Sequence, residues 1–425
     1  MSANPEVSTP TACDGVDERL PTARLATLGL QHVMVMYAGA VAVPLIIGAA
    51  LGLTKEQIAF LINADLLCCG LITIIQARGL GIFGIKLPVM MGVSFAAVSP
   101  TIAIGLDPQL GLPGIFGATI LAGIFSIVIA PVFSRLMGLF PPVVTGIIIT
   151  VIGVTLMRVG LNWIGGGSPT ITDPATGLSM PNPEYGSLEN LAIALMVLTV
   201  ILLITKFARG FLANVAVLIG LLAGFFVSLA MGRITFDRIE QNSWFAVVTP
   251  FHFGVPTFSW ALLGAAAVLS LIMVVIMVES LGMFLALGSI CGRPTDREAL
   301  VRGLRTDGLG TLVGGIMNTF PHSSFSQNVG LVSVTGVRSR WVCVMGGAFL
   351  IILGLFPKMA FVVASIPNYV LGGAGIVMFG MVAATGIKIL MSANLNRNPY
   401  NPYIVAISLG FGMIPLVAEH LLDKM

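Results

Sequence analysis

Long apolar segments alternate with short polar connections along almost the whole chain. About thirteen such segments lie between residues 25 and 418. Most of them approach the roughly 20 apolar residues that an α-helix needs to cross the hydrocarbon core of a bilayer. The pattern therefore predicts an all-α polytopic membrane protein whose polar connections face water on either side of the membrane.

Two of the segments, residues 83–104 and 321–335, are short and are interrupted by Pro88 and Pro321. The second is also rich in serine and amide side chains. Unpaired backbone groups cost several kcal/mol each in lipid, so irregular polar backbone persists at membrane depth only where it is buried in protein or lines a cavity. We therefore expect a short extended piece that enters a half-helix, with its N–H groups pointing at a bound solute.

An internal repeat accompanies these interruptions. The sequence FPPVVTG, which begins at Phe140, recurs loosely as IPNYVLG from Ile366, and the two interrupting prolines lie 233 positions apart. We count about seven spans between the copies, and an odd number inverts the second copy relative to the first. Paired interrupted segments in two halves are typical of the substrate site of a secondary transporter.

Composition and charge agree with a membrane protein. The 425 residues are 56% hydrophobic and only 9% charged, which leaves too few charges to cover a soluble surface. The net charge of +3 includes no basic tract, so we expect no nucleic-acid partner. If the N-terminus is cytoplasmic, roughly 14 of the 21 Lys and Arg residues fall on its side, as the positive-inside rule requires. The polar residues 1–24 carry no leader with a cleavage site, so we expect a solvated cytoplasmic tail there.

Enzymatic and metal chemistry find little support in the sequence. Most of the five cysteines fall inside apolar segments and lack metal-ligand spacing, so we interpret them as small hydrophobic residues. The chain has no His-Glu-x-x-His, no Gly-x-Ser-x-Gly and no phosphate-binding glycine-rich loop. We therefore expect no enzymatic activity, no metal and no cofactor.

Glu279 is the first candidate for a functional residue, because it lies near the middle of an apolar segment where an acid costs about 2.5–3.5 kcal/mol. Its carboxylate could accept two hydrogen bonds from a planar heterocycle or carry a proton with the solute. The alternative is a protonated side chain bonded to a neighbouring helix. Gln327 and Asn328 follow at the start of the expected half-helix, where an amide could match the N–H and C=O edge of a nucleobase or simply cap the helix.

Four further side chains are candidates for a functional role, and each also has a purely structural interpretation. His32 could relay protons, although a lone membrane histidine more often fixes helix geometry. Asp307 could couple a proton or pair with a cation at a helix end, and we interpret Asp65 as structural. Phe95 could stack on a flat ring or belong to the core.

At these positions the sequence resembles the nucleobase–ascorbate transporter family, also called nucleobase:cation symporter-2. The resemblance is carried by Ser326-Gln327-Asn328-Val329-Gly330 with Thr335-Gly336-Val337-Arg338, and by Gln31-His32, Val278-Glu279-Ser280 and Asp307-Gly308 in the same order. It extends from about residue 25 to 418. Within the family, the segments around residues 30–48 and 140–160 look most like bacterial urate and xanthine permeases.

The resemblance implies fourteen segments arranged as two inverted repeats of seven, a core domain that moves against a gate domain, a homodimer and proton symport. It implies that Glu279 and Gln327 hold the edge of a purine, that Phe95 stacks on it, and that the backbone near Ser94 and Ser326 adds hydrogen bonds. Asn328 would shape the site, and proton coupling would involve Glu279, Asp307 and His32.

The domain boundaries expected from this resemblance place the core domain at 25–137 and 259–356. The gate domain is expected at 138–232 and 357–425, with an extracytoplasmic loop at 233–258.

Two departures accompany the resemblance. Met283 stands where some members of the family have a polar or ionisable residue. We also expect about 13 of the 14 segments, because the chain stops at Met425 soon after the thirteenth.

The sequence thus predicts a proton-coupled importer of purines, uric acid first and xanthine second. We place it in a bacterial inner membrane, as a multi-pass protein in contact with lipid. The alternatives are a uracil or other nucleobase symporter of the same fold, a passive solute channel, and a receptor or non-transporting homologue.

Overall fold

The computed structural model describes residues 15–133, 141–172, 179–236, 239–241, 243–256, 259–393, 395 and 398–418. In chain order, its helices are α1 (Thr22–Ala50), α2 (Lys55–Arg78), α3 (Val98–Leu106), α4 (Gly111–Phe133), α5 (Pro142–Ile164), α6 (Leu188–Phe207), α7 (Phe211–Asn214), α8 (Ala216–Ala230), α9 (Trp260–Cys291), α10 (Arg297–Met317), α11 (Ser326–Thr335), α12 (Arg340–Leu353), α13 (Pro357–Ala364), α14 (Asn368–Ser392), α15 (Asn401–Gly412) and α16 (Ile414–Val417). The strands are β1 (Met91–Val93), β2 (Thr170–Thr172), β3 (Ser179–Pro181) and β4 (His322–Ser324).

Within these residues, seven helices are long and apolar enough to cross a membrane: α1, α2, α4, α5, α6, α9 and α14. An eighth span is possible if α12 and α13, which meet at an angle of 84°, are taken together. Residues 360–387, which the sequence presents as one apolar segment, are not one helix in the structure. They are divided between α13 and α14 because Pro367 ends the first helix and caps the second.

The two interrupted segments contain strands, as the sequence predicts. β1 pairs antiparallel with β4, with Met91 opposite Ser324 and Val93 opposite His322. Each strand leads into a helix, since a single 3-10 turn at Phe95–Ala97 connects β1 to α3, and α11 begins two residues after β4. The small two-stranded sheet formed by β2 and β3 was not foreseen, because three residues per strand are too few for a strand pattern to stand out in a polar connection.

The helix contacts follow an inverted repeat. α2 packs along α12, and α4 packs along α10. Since α2 and α10 each precede an interrupted segment, and α4 and α12 each follow one, these two contacts are equivalent in the two halves. The repeated proline sequences also coincide in position: Pro141 is the residue before α5 and Pro367 the residue before α14, and these two helices pack closely together. Phe140 lies outside the described residues.

Glycines allow the closest of these approaches. A Cβ atom added at Gly70 would lie 2.5 Å from the carbonyl oxygen of Gly347, where α2 meets α12. At Gly123 it would lie 2.4 Å from a backbone nitrogen of α10, and at Gly153 it would lie 2.3 Å from a backbone nitrogen of α14. Small residues at helix contacts are the usual means of close packing in membranes, where lipid removes the hydrophobic drive between helices.

The described part of the expected solvated tail is held against the protein. Val16 is buried, and the Asp17 carboxylate forms salt bridges with Arg293 and Arg340 at 2.6 and 2.5 Å. The first 14 residues lie outside the described part of the chain. The domain boundaries given above stay a prediction.

Candidate functional site

The strand pair lies between two helix N-termini, and hydrogen bonds from neighbouring helices hold it in place. Thr73 on α2 accepts a hydrogen bond from the Met91 N–H (2.9 Å), and Thr311 on α10 accepts one from the His322 N–H (3.0 Å). Ser94 N–H donates to the Pro321 carbonyl at 2.8 Å. The irregular backbone is therefore satisfied by protein, which is the condition for such backbone at membrane depth.

A cavity opens directly beyond the strands. Its empty volume is about 450 Å³, with the open solvent at its mouth included. The cavity brings together the side chains expected at the substrate edge and their neighbours: Ser94, Phe95, Glu279, Ser323, Ser324, Ser326 and Gln327. Its opposite wall is apolar and comes from Ile149 and Ile152 on α5 and Val382 on α14. The site therefore lies between the helices around the strands and the α5–α14 pair.

Glu279 and Gln327 have spare hydrogen-bonding capacity. Within the described part of the chain, the half-buried Glu279 makes no hydrogen bond, and the exposed Gln327 side chain accepts one, from the Ser326 hydroxyl at 3.3 Å. A carboxylate can accept several hydrogen bonds, while an amide both donates and accepts. Together they can bind a planar solute that presents N–H and C=O groups along one edge.

Phe95 supplies a flat apolar surface beside these polar groups. Its ring meets the edge of Phe379 at a centroid distance of 5.9 Å and an interplanar angle of 79°. This T-shaped contact fixes the ring orientation, and the ring of Phe95 still contributes to the cavity lining. A rigid aromatic surface in such a place is suited to stacking on a heterocycle.

Asn328 and His32 do not line the cavity. The Asn328 amide donates to the Nδ1 atom and to the carbonyl oxygen of His32, both at 3.0 Å, and both residues are buried. These bonds connect α11 to α1 immediately beside Gln327. The structure places Asn328 where it can orient its neighbour and gives His32 the helix-fixing contact that was the alternative to proton relay.

Asp307 lies behind the cavity and is separated from it by the Ser324 side chain. It is fully buried and accepts a hydrogen bond from the Ser324 hydroxyl at 3.3 Å, while the Gln76 amide approaches the same oxygen at 3.5 Å. Ser324 lines the cavity, so it connects Asp307 to the solute space. Sequence reasoning did not single out Ser324 or Gln76, although the serine-rich character of the interrupted segment pointed to the former.

Comparison with known proteins adds a family and several relatives. A sequence model described as "Permease family" matches residues 23–420. The chain is 53% identical to the uric acid transporter UacT of Escherichia coli strain K12, over 97% of this chain and 83% of that protein. It is 43% identical to the uric acid permease PucJ of Bacillus subtilis strain 168, over 92% of this chain and 84% of that protein. It is also 43% identical to a xanthine permease of the same strain, over 91% and 84% of the two chains.

Solved structures share the fold at low sequence identity. The transmembrane domain of the cyanobacterial bicarbonate transporter BicA superposes with a TM-score of 0.65 and 17% identity, covering 94% of this chain and 97% of that one. The structure of SLC26A9 gives a TM-score of 0.60 and 14% identity, over 93% and 62% of the two chains. The predicted fold class, a helical inverted-repeat transporter with two strand-containing interrupted segments, is confirmed.

Proposed function

Since the chain belongs to the permease family of nucleobase:cation symporter-2 transporters, as the sequence analysis predicted, we propose that it imports purines by proton symport, with uric acid as first substrate and xanthine as second. It is a transporter and not an enzyme. The uric acid and xanthine permeases among its relatives support this choice of solutes.

The observation that carries the proposal is the pairing of Glu279 with Gln327 in one cavity beside Phe95. A purine dione or trione offers alternating N–H and C=O groups along its edge and a flat face. The Glu279 carboxylate accepts from N–H groups, the Gln327 amide satisfies a neighbouring C=O and N–H, and Phe95 stacks on the face. Ser94 and Ser326 supply further hydrogen bonds at the two helix N-termini, whose dipoles favour electronegative groups.

Transport in this scheme proceeds by alternating access. Protonation accompanies solute binding at Glu279 and Gln327, the strand-bearing core shifts against the α5–α14 wall, and solute and proton leave on the cytoplasmic side. Ser324 lines the site and Asp307 lies directly behind it, and their hydrogen bond is the proposed route by which solute binding changes the protonation of the core. His32 has the geometry of a positioning residue within this scheme.

Location and assembly follow the same reasoning. The excess of Lys and Arg on one side supports a cytoplasmic N-terminus in a bacterial inner membrane. Lipid surrounds the helices, and the family resemblance supports a homodimer.

A passive solute channel is the competing function, and a uracil symporter is the competing substrate class. Gln327 argues against the uracil type, in which the resemblance leads us to expect a carboxylate at that position. A channel would give linear flux without proton movement, whereas a symporter gives saturable accumulation.

The test is uptake of radiolabelled urate, xanthine and uracil into cells that express the chain, with and without a protonophore. We expect urate to accumulate and the protonophore to abolish accumulation. Glu279→Gln should lower uptake at low solute concentration by at least about tenfold, because one hydrogen bond to a charged group contributes about 1.5–3 kcal/mol. Equal uptake by wild type and Glu279→Gln, at equal amounts in the membrane, would refute the proposed role of the carboxylate.

A further inference from the structure

A second buried polar cluster lies behind the strands, separate from the solute cavity. It consists of Asp65 and Cys69, one turn apart on α2, and His322 on β4. All three are fully buried. Cys69 Sγ lies 3.5 Å from Asp65 Oδ1 and 3.6 Å from His322 Nε2, and His322 Nε2 lies 3.6 Å from Asp65 Oδ1. The three ligand-type atoms thus form a nearly equilateral triangle.

These separations match three corners of a tetrahedral metal site. Zinc binds thiolate sulfur at about 2.3 Å, imidazole nitrogen at about 2.0–2.1 Å and carboxylate oxygen at about 2.0–2.2 Å. With tetrahedral angles, these bond lengths place any two of the ligand atoms about 3.3–3.6 Å apart. The triangle therefore has dimensions close to those of three ligands of a zinc site.

The contacts around the triangle orient the ligands. His322 Nδ1 lies 2.8 Å from the Phe320 carbonyl oxygen, so it carries the proton and leaves the Nε2 lone pair facing Asp65 and Cys69. Thr319 donates to Asp65 Oδ1 at 3.1 Å, while Asp65 Oδ2 is buried and has no hydrogen-bond partner within the described residues. A carbonyl that orients an imidazole ligand and a hydroxyl that orients a carboxylate ligand are typical of the groups that surround the ligands of a metal site.

Hydrogen bonds account for part of this arrangement, since the Cys69 thiol donates to Asp65 Oδ1 at 3.5 Å, but they leave the contact between His322 and Asp65 unexplained. The 3.6 Å between His322 Nε2 and Asp65 Oδ1 exceeds the roughly 2.7–3.2 Å of an N–H···O bond. Among the described residues, no Lys or Arg forms a salt bridge with Asp65. A buried carboxylate without a cation is costly in this environment. One divalent ion with a carboxylate and a thiolate has zero net charge, which removes that cost.

We propose that Asp65, Cys69 and His322 bind one zinc ion. Binding converts the Cys69 thiol to a thiolate, and its proton is released to solvent as the site assembles. The ion connects α2 to β4 and thereby holds the segment in which Ser323 to Gln327, the residues directly after His322, line the solute cavity. Its role is structural, since the ligands do not contact the cavity.

Sequence spacing did not reveal this site. The expectation of no metal rested on the spacing of cysteines along the chain, but Cys69 and His322 lie 253 positions apart and meet only through the strand pairing. The available signal was the i, i+4 placement of Asp65 and Cys69 on one face of a helix, together with a histidine in the interrupted segment.

The test is the metal content of the full-length protein, purified without a histidine tag after growth in zinc-supplemented medium. We expect about one zinc per chain, and about tenfold less in Cys69→Ala and in His322→Asn. His322→Asn is informative because its shorter amide can still donate toward the Phe320 carbonyl while the Nε2 ligand is lost. Cys68→Ala is the matched control, since Cys68 is the adjacent and equally buried cysteine and should leave the zinc content unchanged.

A second measurement uses the wild-type protein and does not depend on variants that fold. Protein produced with cobalt in place of zinc should show a thiolate-to-cobalt charge-transfer band, and Cys69→Ala should lack it if that variant folds. Zinc below about 0.1 per chain together with no cobalt band would overturn the proposal. So would equal zinc content in Cys69→Ala and Cys68→Ala. Neither result would bear on purine uptake, which the uptake experiment tests separately.

Discussion

Alanine at Gly153 is expected to force apart α5 and α14, the two helices that form the apolar wall of the solute cavity. Its Cβ atom would lie 2.3 Å from the backbone nitrogen of Ala383 and 2.6 Å from the Ala383 Cα, whereas ordinary van der Waals contact begins at 3.4 Å. Both contacts are with backbone, so no side-chain rotation relieves them and the helices must separate by about 1 Å. Overpacking of this kind costs about 1–3 kcal/mol.

Gly264→Ala is the matched control for this substitution. Gly264 is an exposed residue of α9, and a Cβ atom added there would have no other atom within 4 Å. Both substitutions gain the same helix propensity, about 0.5–1 kcal/mol, so their difference isolates the packing cost. We therefore expect Gly153→Ala to be the less stable by about 1–3 kcal/mol.

The assay is thermal unfolding of wild type and both variants in the same detergent, with urate uptake measured in parallel. The midpoint should fall by a few degrees in Gly153→Ala and stay at or above the wild-type value in Gly264→Ala. Uptake should fall in Gly153→Ala, because the displaced wall carries Ile149 and Ile152. Equal unfolding midpoints for the two variants would refute the close helix contact.

Three further predictions concern the site and the N-terminal segment. Gln327→Asn withdraws the amide by one methylene and should raise the KM for urate about tenfold or more without changing protein yield, as uptake kinetics would reveal. Asn328→Ala removes both hydrogen bonds to His32 and should lower stability by about 1–2 kcal/mol, measured as a lower unfolding midpoint. Partial burial opposes ionisation of Asp17 and would raise its pKa. Hydrogen bonds from Arg293 and Arg340 outweigh this effect and lower the pKa below its usual value of 3.8. A lowered pKa stabilises the fold above the unfolded-state pKa and ceases to do so as the pH falls through the folded-state value. The difference in midpoint between wild type and Asp17→Asn should therefore be present at pH 7 and shrink below pH 3.8.

The polar interruption of an apolar chain made much of the site predictable. Backbone without regular hydrogen bonding has few permitted places in a membrane, so the segment around Pro321 had to lie in protein or beside a cavity. Glu279 was constrained in a similar way, because an acid inside an apolar segment is costly unless it faces protein or a cavity. These two features, with the motif resemblance, singled out Glu279, Gln327, Phe95, Ser94 and Ser326, which the structure places around one cavity.

Contacts between distant segments were not predictable in the same way. Asn328 adjoins Gln327 in sequence and shared its candidate role, yet its side chain turns toward His32 on α1 and away from the cavity. The link from Asp307 through Ser324 to the solute, and the meeting of Cys69 with His322, depend on where α2 and α10 pack against the strands. Helical periodicity gives little information on such contacts, because α2, α4 and α9 are apolar around most of their circumference.

The sequence by itself determined that this chain spans a membrane, that it consists of two related halves, and that each half is interrupted once by polar backbone. It could do so because lipid excludes charge and unpaired backbone, and this exclusion acts on local sequence. Only the tertiary structure decided which side chains share the cavity, which orient their neighbours and which form a separate buried cluster. Those outcomes depend on the register of β1 against β4 and on the close glycine contacts between helices, which are set by packing over the whole chain.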